Sequence, residues 1–395
     1  MGMKAAAFAL LVWIAGADGA GAAEKNYGPG VSDTEILLGQ SVPYSGPASA
    51  FGVYGRVMQA YFTMLNDRGG IHGRKIKLIS LDNAFSPPKA REQTRKLVED
   101  DGVLAEAGTL GTTPNVAIEK YLNQKKVPQL FISAGGSRFN DPKEFPWTVP
   151  FYPSFDMEGR TIAAYLLKTK PSAKIAVLYQ NDDYGKDFLT GLKTGLGDKR
   201  TMLVAEASYE LSDPTVDSQI VTLQQSGADT LLDFATPKFA AQAIRKSHDI
   251  GWKPLQFVAS PANSVEAVLK PVGFDIATGL MTTQFAKQAA DPAWAGDQDM
   301  KDYLAFYQKY LPSESPNDFI GLSSYIISEG IALVLERCGD DLSRDNLLRQ
   351  ATQIEGVKLP MFLPGIEIHN SPQDYALYHE LRVARFDGRQ WVVLD

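Results

Sequence analysis

From Ile36 onward, short apolar runs alternate with amphipathic stretches. Ile36 to Gly39, Lys75 to Leu81, Val103 to Ala107 and Gln129 to Ile132 have the length and composition of strands. Between them, apolar residues recur at helical spacing over Gly52 to Asn66, Pro88 to Glu99 and Pro114 to Asn123. The pattern predicts βαβαβαβ. Such alternation with short connections implies a parallel sheet covered by helices on both faces, with its ligand crevice at the carboxyl ends of the strands. The rhythm breaks at Phe139 to Ser154, where Pro142, Pro146, Pro150 and Pro153 fall in one segment, the composition of a crossing between domains. A second alternation follows, with strands at Lys174 to Tyr179, Met202 to Tyr209, Thr230 to Phe234 and Gln256 to Val258. Helical patterns at Tyr184 to Leu196, Val216 to Gln225 and Phe239 to Ile250 interleave with them.

Leu280 to Thr283 adds one short strand, and Met300 to Tyr310 and Leu322 to Arg337 read as helices that return to the first domain. Leu381 to Phe386 and Gln390 to Leu394, around the Asp387-Gly388 turn, read as a hairpin laid on the second domain. The fold class expected is α/β, two doubly wound lobes with parallel sheets. Residues 23–150 form the first part of lobe 1 and 151–280 the first part of lobe 2. Residues 281–360 return mainly to lobe 1, and 361–395 form mainly a C-terminal piece of lobe 2. Several crossings of this kind would make a hinge.

The N-terminus changes the picture. Lys4 supplies a positive start, Ala5 to Ile14 is an apolar run too short to span a bilayer, and Ala20-Gly21-Ala22 offers the small residues of a cleavage site. Residues 1–22 are therefore expected to be a removed signal peptide, leaving a chain exported to the periplasm. No later stretch approaches 18 consecutive apolar residues, so no membrane span is expected. Cys338 stands alone, which excludes both an internal disulfide and a lipid-modified cysteine at the cleavage site. Of 395 residues, 44% are hydrophobic and 22% charged, as in ordinary globular chains. Lys and Arg total 39 against 46 Asp and Glu, a net charge of -7 with no basic run, the wrong sign for a nucleic-acid partner.

Nucleotide, hydrolytic and metal chemistry find little support. Val42 to Pro47, after the first strand, contains no G-x-G-x-x-G, and Gly108-Thr109-Leu110-Gly111 lacks the third glycine. His72, His248, His369 and His379 are scattered, no serine sits in G-x-S-x-G, and Asp182 and Asp183 are adjacent rather than facing. No catalytic residue, metal ligand or cofactor is expected. The Gly108 to Pro114 loop has another reading: a strand ends near Ala107, the glycines turn the backbone, and Pro114 suits a first helical position. Free backbone N–H groups at that helix start would suit one anionic group such as a carboxylate; the same residues also suit an ordinary capped helix. Ser133-Ala134-Gly135-Gly136-Ser137 places a second run of small residues at another carboxyl edge.

Several segments together resemble the periplasmic solute-binding proteins of branched-chain amino acid type, which serve ABC importers. They are Ile36-Leu37-Leu38-Gly39 with Tyr44-Ser45-Gly46-Pro47, then Asn66-Asp67-Arg68-Gly69-Gly70-Ile71-His72-Gly73-Arg74-Lys75. Asp82 before Pro87-Pro88-Lys89-Ala90, and Tyr179-Gln180-Asn181-Asp182-Asp183-Tyr184-Gly185, complete the set. The resemblance spans nearly the whole exported chain and implies a type I periplasmic binding fold. Its two lobes, joined by a three-crossing hinge, would close on a small ligand without catalysis. By that resemblance, Leu110, Gly111 and Thr112 offer backbone and hydroxyl groups to a ligand carboxylate, Ala134, Gly135 and Gly136 continue the clamp, and Phe51 and Tyr184 are aromatic lids.

The family's amino-acid binders hold the ligand ammonium with an acidic residue from turns that correspond here to Ala235-Thr236-Pro237-Lys238 and Ser260-Pro261-Ala262-Asn263. Neither turn contains a carboxylate. A buried ammonium without an opposite charge is costly, so a carboxylate lacking an amine is expected, aromatic before aliphatic. Thr236, Pro237, Lys238 and Pro261 would lie on the second-lobe side, with Lys238 available to a second acidic group. Asp182, Asp183 and Asp233 are the acidic residues that could still reach the cleft. The expected partners are a small carboxylate and an inner-membrane permease and ATPase complex, and the protein is expected to be a monomer. The alternatives are a periplasmic sensor for a membrane kinase or chemoreceptor and, behind it, an exported α/β enzyme.

Overall fold

The computed structural model describes residues 25–394, so the segment read as a signal peptide lies outside the described residues. A two-residue strand, β1 (Asn26–Tyr27), precedes the first sheet. That sheet comprises β2 (Glu35–Val42), β3 (Lys75–Asp82), β4 (Ala105–Ala107), β5 (Gln129–Ile132) and β6 (Thr148–Pro150), all parallel in the order β3-β2-β4-β5-β6. The second lobe contributes β7 (Ile175–Gln180), β8 (Leu203–Tyr209), β9 (Thr230–Phe234), β10 (Leu255–Val258) and β11 (Met281–Gln284). β12 (Asp341–Leu342) returns to pair in parallel with β1. β13 (Arg382–Phe386) and β14 (Trp391–Val393) close the second sheet, whose order is β14-β13-β11-β10-β9-β7-β8. The predicted C-terminal hairpin is thus part of that sheet, paired antiparallel to β11.

Besides β1, β12 and the helix Arg344–Ala351, two elements beside the first crossing were not predicted. β6 lies inside the proline-rich segment, at the edge of its sheet where a proline costs no ladder hydrogen bond. The helix Phe155–Thr169 follows at once; Ser154 caps it by accepting from the Met157 N–H at 3.4 Å.

The chain passes between the sheets after β6, after β11 and before β13. The middle return carries the helices Gln298–Tyr310, Phe319–Cys338 and Arg344–Ala351; the second is apolar, and its Ile326, Ile327, Ile331 and Val334 share one core with Tyr54, Val57 and Tyr61 of the Gly52–Asp67 helix. At 20 residues it is long and apolar enough to match a membrane span in length and composition, contrary to the expectation that no later stretch came close. Most of it is buried between other elements of the lobe, which is why it is apolar on all sides.

The segment most specific to the family maintains the scaffold. Asn66 clamps the start of β3 with both ends of its amide, donating to the Ile76 carbonyl at 2.7 Å and accepting from the Ile76 N–H at 2.8 Å. Gly70, at φ 72°, has no room for a Cβ, which would fall 2.1 Å from the Arg74 carbonyl oxygen. Arg74, almost fully buried, reaches Asp340 at 2.6 Å and ties β3 to the β12 region.

Candidate ligand-binding site

Where β4 and β5 end, the first lobe presents two loops to the second. Gly111, at φ 100°, turns the chain from β4 into the Thr112–Lys125 helix; a Cβ there would fall 2.5 Å from the Phe85 ring, so both conformation and packing require glycine. Its N–H is already given to the Ser133 carbonyl at 3.1 Å, and that of Leu110 is paired, at 3.4 Å, with Ser41. The free donors lie one step further on: the N–H groups of Thr112 and Thr113 donate to nothing among the described residues, as a first helical turn dictates. The Thr112 hydroxyl is buried, 2% exposed, and likewise unpartnered among them.

Leu110, Gly111, Thr112 and Ser133 border an interlobe cavity of about 50 Å³. Its first-lobe wall is Phe51, Phe85, Leu110, Gly111, Thr112, Ser133 and Ala134, with Phe319, Ile320 and Ser323 from the start of the returning helix. Phe155, Tyr184, Thr236 and Pro261 face them from the second lobe, and Tyr152 stands at the first crossing. The aromatic lining continues inward as a stack: Phe155 meets Tyr184 at 4.9 Å and Phe188 at 4.5 Å, and Phe188 meets Phe234 at 4.8 Å.

The second-lobe polar groups are engaged internally. Tyr184 donates its hydroxyl to the Ala235 carbonyl at 3.1 Å, and the Thr236 N–H donates to the Tyr209 hydroxyl at 3.0 Å. The Thr236 hydroxyl lies 3.3 Å from both Gln180 and Tyr209. Ser260, next to Pro261, gives its N–H and hydroxyl to buried Glu158 at 2.8 and 2.6 Å; burial pushes that carboxyl up to about 7.

Four expected positions lie elsewhere. Gly135 and Gly136 face a separate hinge-side cavity, because the chain after Ala134 turns away toward the crossing, where the Gly135 carbonyl accepts from Phe155. Lys238 is exposed: Thr236 caps the Pro237–Asp249 helix, and at its second position Lys238 points outward, its ammonium 4.6 Å from the Phe239 ring. Pro237 is buried beneath it, outside the cavity.

Among the described residues, no carboxylate lines the cavity. Asp182 instead caps the Asp183–Leu196 helix and accepts from Thr113 across the cleft at 3.3 Å; burial raises its pKa. Asp183 pairs with Arg138, which also bridges to Glu119. Asp233 is fully buried in β9, and burial holds its carboxyl well above the usual range. Asp187 accepts from the Ser137 N–H at 2.9 Å, and Ser264 donates to Asp318 at 2.9 Å, so the lobes are bonded on both flanks of the cavity.

Phe85, Ser133, Tyr152, Phe155, Phe319, Ile320 and Ser323 complete the lining but were not among the expected site residues. Phe85 was within reach, since it follows the carboxyl end of β3, where this architecture places its crevice. The others depend on crossings and the returning helix.

This architecture is two doubly wound lobes facing each other across an interlobe cavity. The chain belongs to the periplasmic binding protein family, whose model matches residues 35–390. Members of this family are substrate-binding proteins rather than enzymes and work with ABC transporter permeases. The chain is 24% identical over 85% of its length to the Leu/Ile/Val-binding protein homolog 7 of Brucella suis biovar 1 (strain 1330), 85% of which is covered. It is similar in fold to a branched-chain amino acid ABC transporter protein from Thermus thermophilus with bound valine (TM-score 0.81, 15% identity, 92% and 96% of the two chains). It is also similar to a solute-binding protein of an ABC transporter from Rhodopseudomonas palustris BisB5 in complex with 3,4-dihydroxybenzoic acid (TM-score 0.77, 20% identity, 92% and 97%).

Proposed function

We propose that this chain is the exported, periplasmic receptor of an ABC importer and captures a small carboxylate without an α-ammonium, an aromatic acid in the first place. One observation carries the ligand reading: the cavity offers unpaired donors and no acidic acceptor. The Thr112 hydroxyl and the N–H groups of Thr112 and Thr113 are free, at a helix start whose dipole favours an anion. No carboxylate among the described residues lines the cavity, so an ammonium beside the ligand carboxylate would be buried unpaired, at a cost of several kcal/mol. Phe51, Phe85, Phe155 and Tyr184 offer flat apolar surface to a ring. The valine and dihydroxybenzoate complexes show that this fold houses both ligand classes, so the lining must choose between them.

Calorimetric titration with benzoate, hydroxybenzoates, phenylacetate and octanoate, against valine, leucine and phenylalanine, tests this. At least one amine-free acid should bind tenfold or more tighter than every amino acid. Tight binding of the amino acids with silence from the others would overturn the ligand reading.

A further inference from the structure

Next to the interlobe cavity, on the hinge side, lies a second space of about 490 Å³. Of the residues lining the two, Tyr152 alone is common to both. Where the first cavity is largely apolar, the second is mixed: Asn140, Asp156, Arg160, Asp374 and His379 line it together with Pro150, Met157 and Leu377. It also borders Tyr378, whose buried hydroxyl has no partner among the described residues. Resting on the carboxylate reading above, we propose that Tyr152 is a specificity-determining wall that sets the maximum length of acid the cleft accepts.

Tyr152 is fixed at both ends. Its ring stands edge-on to Phe285 of the second crossing at 5.7 Å and tilted against Phe155 at 6.0 Å. Phe285 is packed in turn on Tyr378 of the third crossing at 5.1 Å. The Tyr152 hydroxyl lies 3.1 Å from the Ser260 hydroxyl, which Glu158 holds at 2.6 Å. A side chain clamped by aromatics and anchored through a buried carboxyl cannot swing aside without breaking that network. A ligand whose carboxylate sits at Thr112 and whose body extends toward the first crossing would meet a rigid ring there. Remove the ring and the path leads into a space of mixed lining that would tolerate a longer chain or a terminal hydroxyl.

Titrations of wild type, Tyr152→Ala and Tyr152→Phe with benzoate, phenylacetate, 3-phenylpropanoate, 4-phenylbutanoate and the C6 to C12 alkanoates test the wall. Valine, leucine, phenylalanine and 2-amino-4-phenylbutanoate are titrated alongside. The quantity compared is the ratio of dissociation constants, longest to shortest acid, within each protein. Tyr152→Ala should lower that ratio at least tenfold, whereas Tyr152→Phe, which keeps the ring and loses only the hydroxyl, should leave it within threefold. Should Tyr152→Ala not fold by circular dichroism, Tyr152→Leu replaces it. An unchanged ratio in a folded, binding variant overturns the proposal. Binding of amino acids alone would refute the carboxylate reading, yet the ratio within the amino-acid series would still decide for or against Tyr152.

Discussion

At Gly111 to Pro114 a first-lobe strand loop runs into a helix, leaving a buried hydroxyl and two N–H groups unpaired; at Ala235 to Pro237 the second lobe makes the corresponding turn with the N–H and hydroxyl of its threonine, Thr236, engaged. The difference lies in what stands behind each loop. Behind Thr236 are Gln180 and Tyr209, two long polar side chains that saturate it. Beside Thr112 stand the Phe85 ring over Gly111 and small residues at Ser133 and Ala134, which border the same cavity. An unpaired buried polar group is expensive, and a fold carries one at low cost only where something else arrives to satisfy it. On the proposed reading, the first-lobe wall would hold the charged head of a ligand, and the second would cover its apolar body and close.

The largest effect expected from breaking this division comes from filling the first wall with its own charge. Thr112→Asp places a carboxylate at the first position of a helix, where the dipole favours it, so the thermal midpoint should hold or rise. The same carboxylate occupies the place proposed for the ligand's, and affinity for an amine-free acid should fall on the order of 100-fold. Retained affinity within tenfold of wild type, by calorimetry, would move the anion away from this loop.

A matched pair sharpens the comparison. Thr112→Val removes a hydroxyl that bonds nothing in the described structure, so it should leave the midpoint unchanged while costing about tenfold or more in affinity, the worth of a hydrogen bond to a charged group. Thr236→Val removes a hydroxyl shared by Gln180 and Tyr209, so it should lower stability by about 1 kcal/mol and change affinity by less than about threefold. Calorimetric melting and titration of both variants decide the matter. Equal losses of affinity would mean that the two walls share the head group.

How far this division was legible in the sequence depends on which residues act locally. The alternation of strands and helices from Ile36 to Val258 is dictated by periodicity and the Gly111 turn by local chemistry, so both were readable. The distant partners were not: that the Gly111 N–H is taken by Ser133, or that Thr236 is saturated by Tyr209, depends on tertiary approach. The same holds for Lys238, whose direction is set by Phe239 burying on the other side of the helix. Proline misled most, since Phe139 to Ser154 read as a crossing alone and hid both β6 and the start of the Phe155–Thr169 helix. With them went Tyr152 and Phe155, two of the cavity's aromatics.

The smallest effect concerns the seam on the other flank of the cavity. Asp318 caps the returning helix at the Ile320 N–H, 2.9 Å away, and accepts from Ser264 of the second lobe at 2.9 Å. Glu266 and Glu314 are the charged groups that face it, Glu266 paired with Lys270 at 3.0 Å and Glu314 with Arg56 at 2.6 Å. Burial, assisted by those two neighbours, pushes its carboxyl up to about 6. Opening the lobes breaks the Ser264 contact and returns the carboxyl to water, where about 3.9 is ordinary. The closed state therefore binds the proton more tightly than the open one. Closure gains as pH falls through about 6 toward 4 and loses that gain as pH rises above 6. A ligand that binds by closure should be held about fourfold more tightly at pH 5.5 than at 7.5, a range in which an ordinary ligand carboxylate stays ionised. Asp182 and Asp187, also raised by burial on the opposite flank, act in the same direction. Asp318→Asn keeps the acceptor oxygen and removes the titration, so it should flatten much of this dependence. An affinity that falls on acidification in the wild type would show that the ligand does not draw these carboxylates out of water.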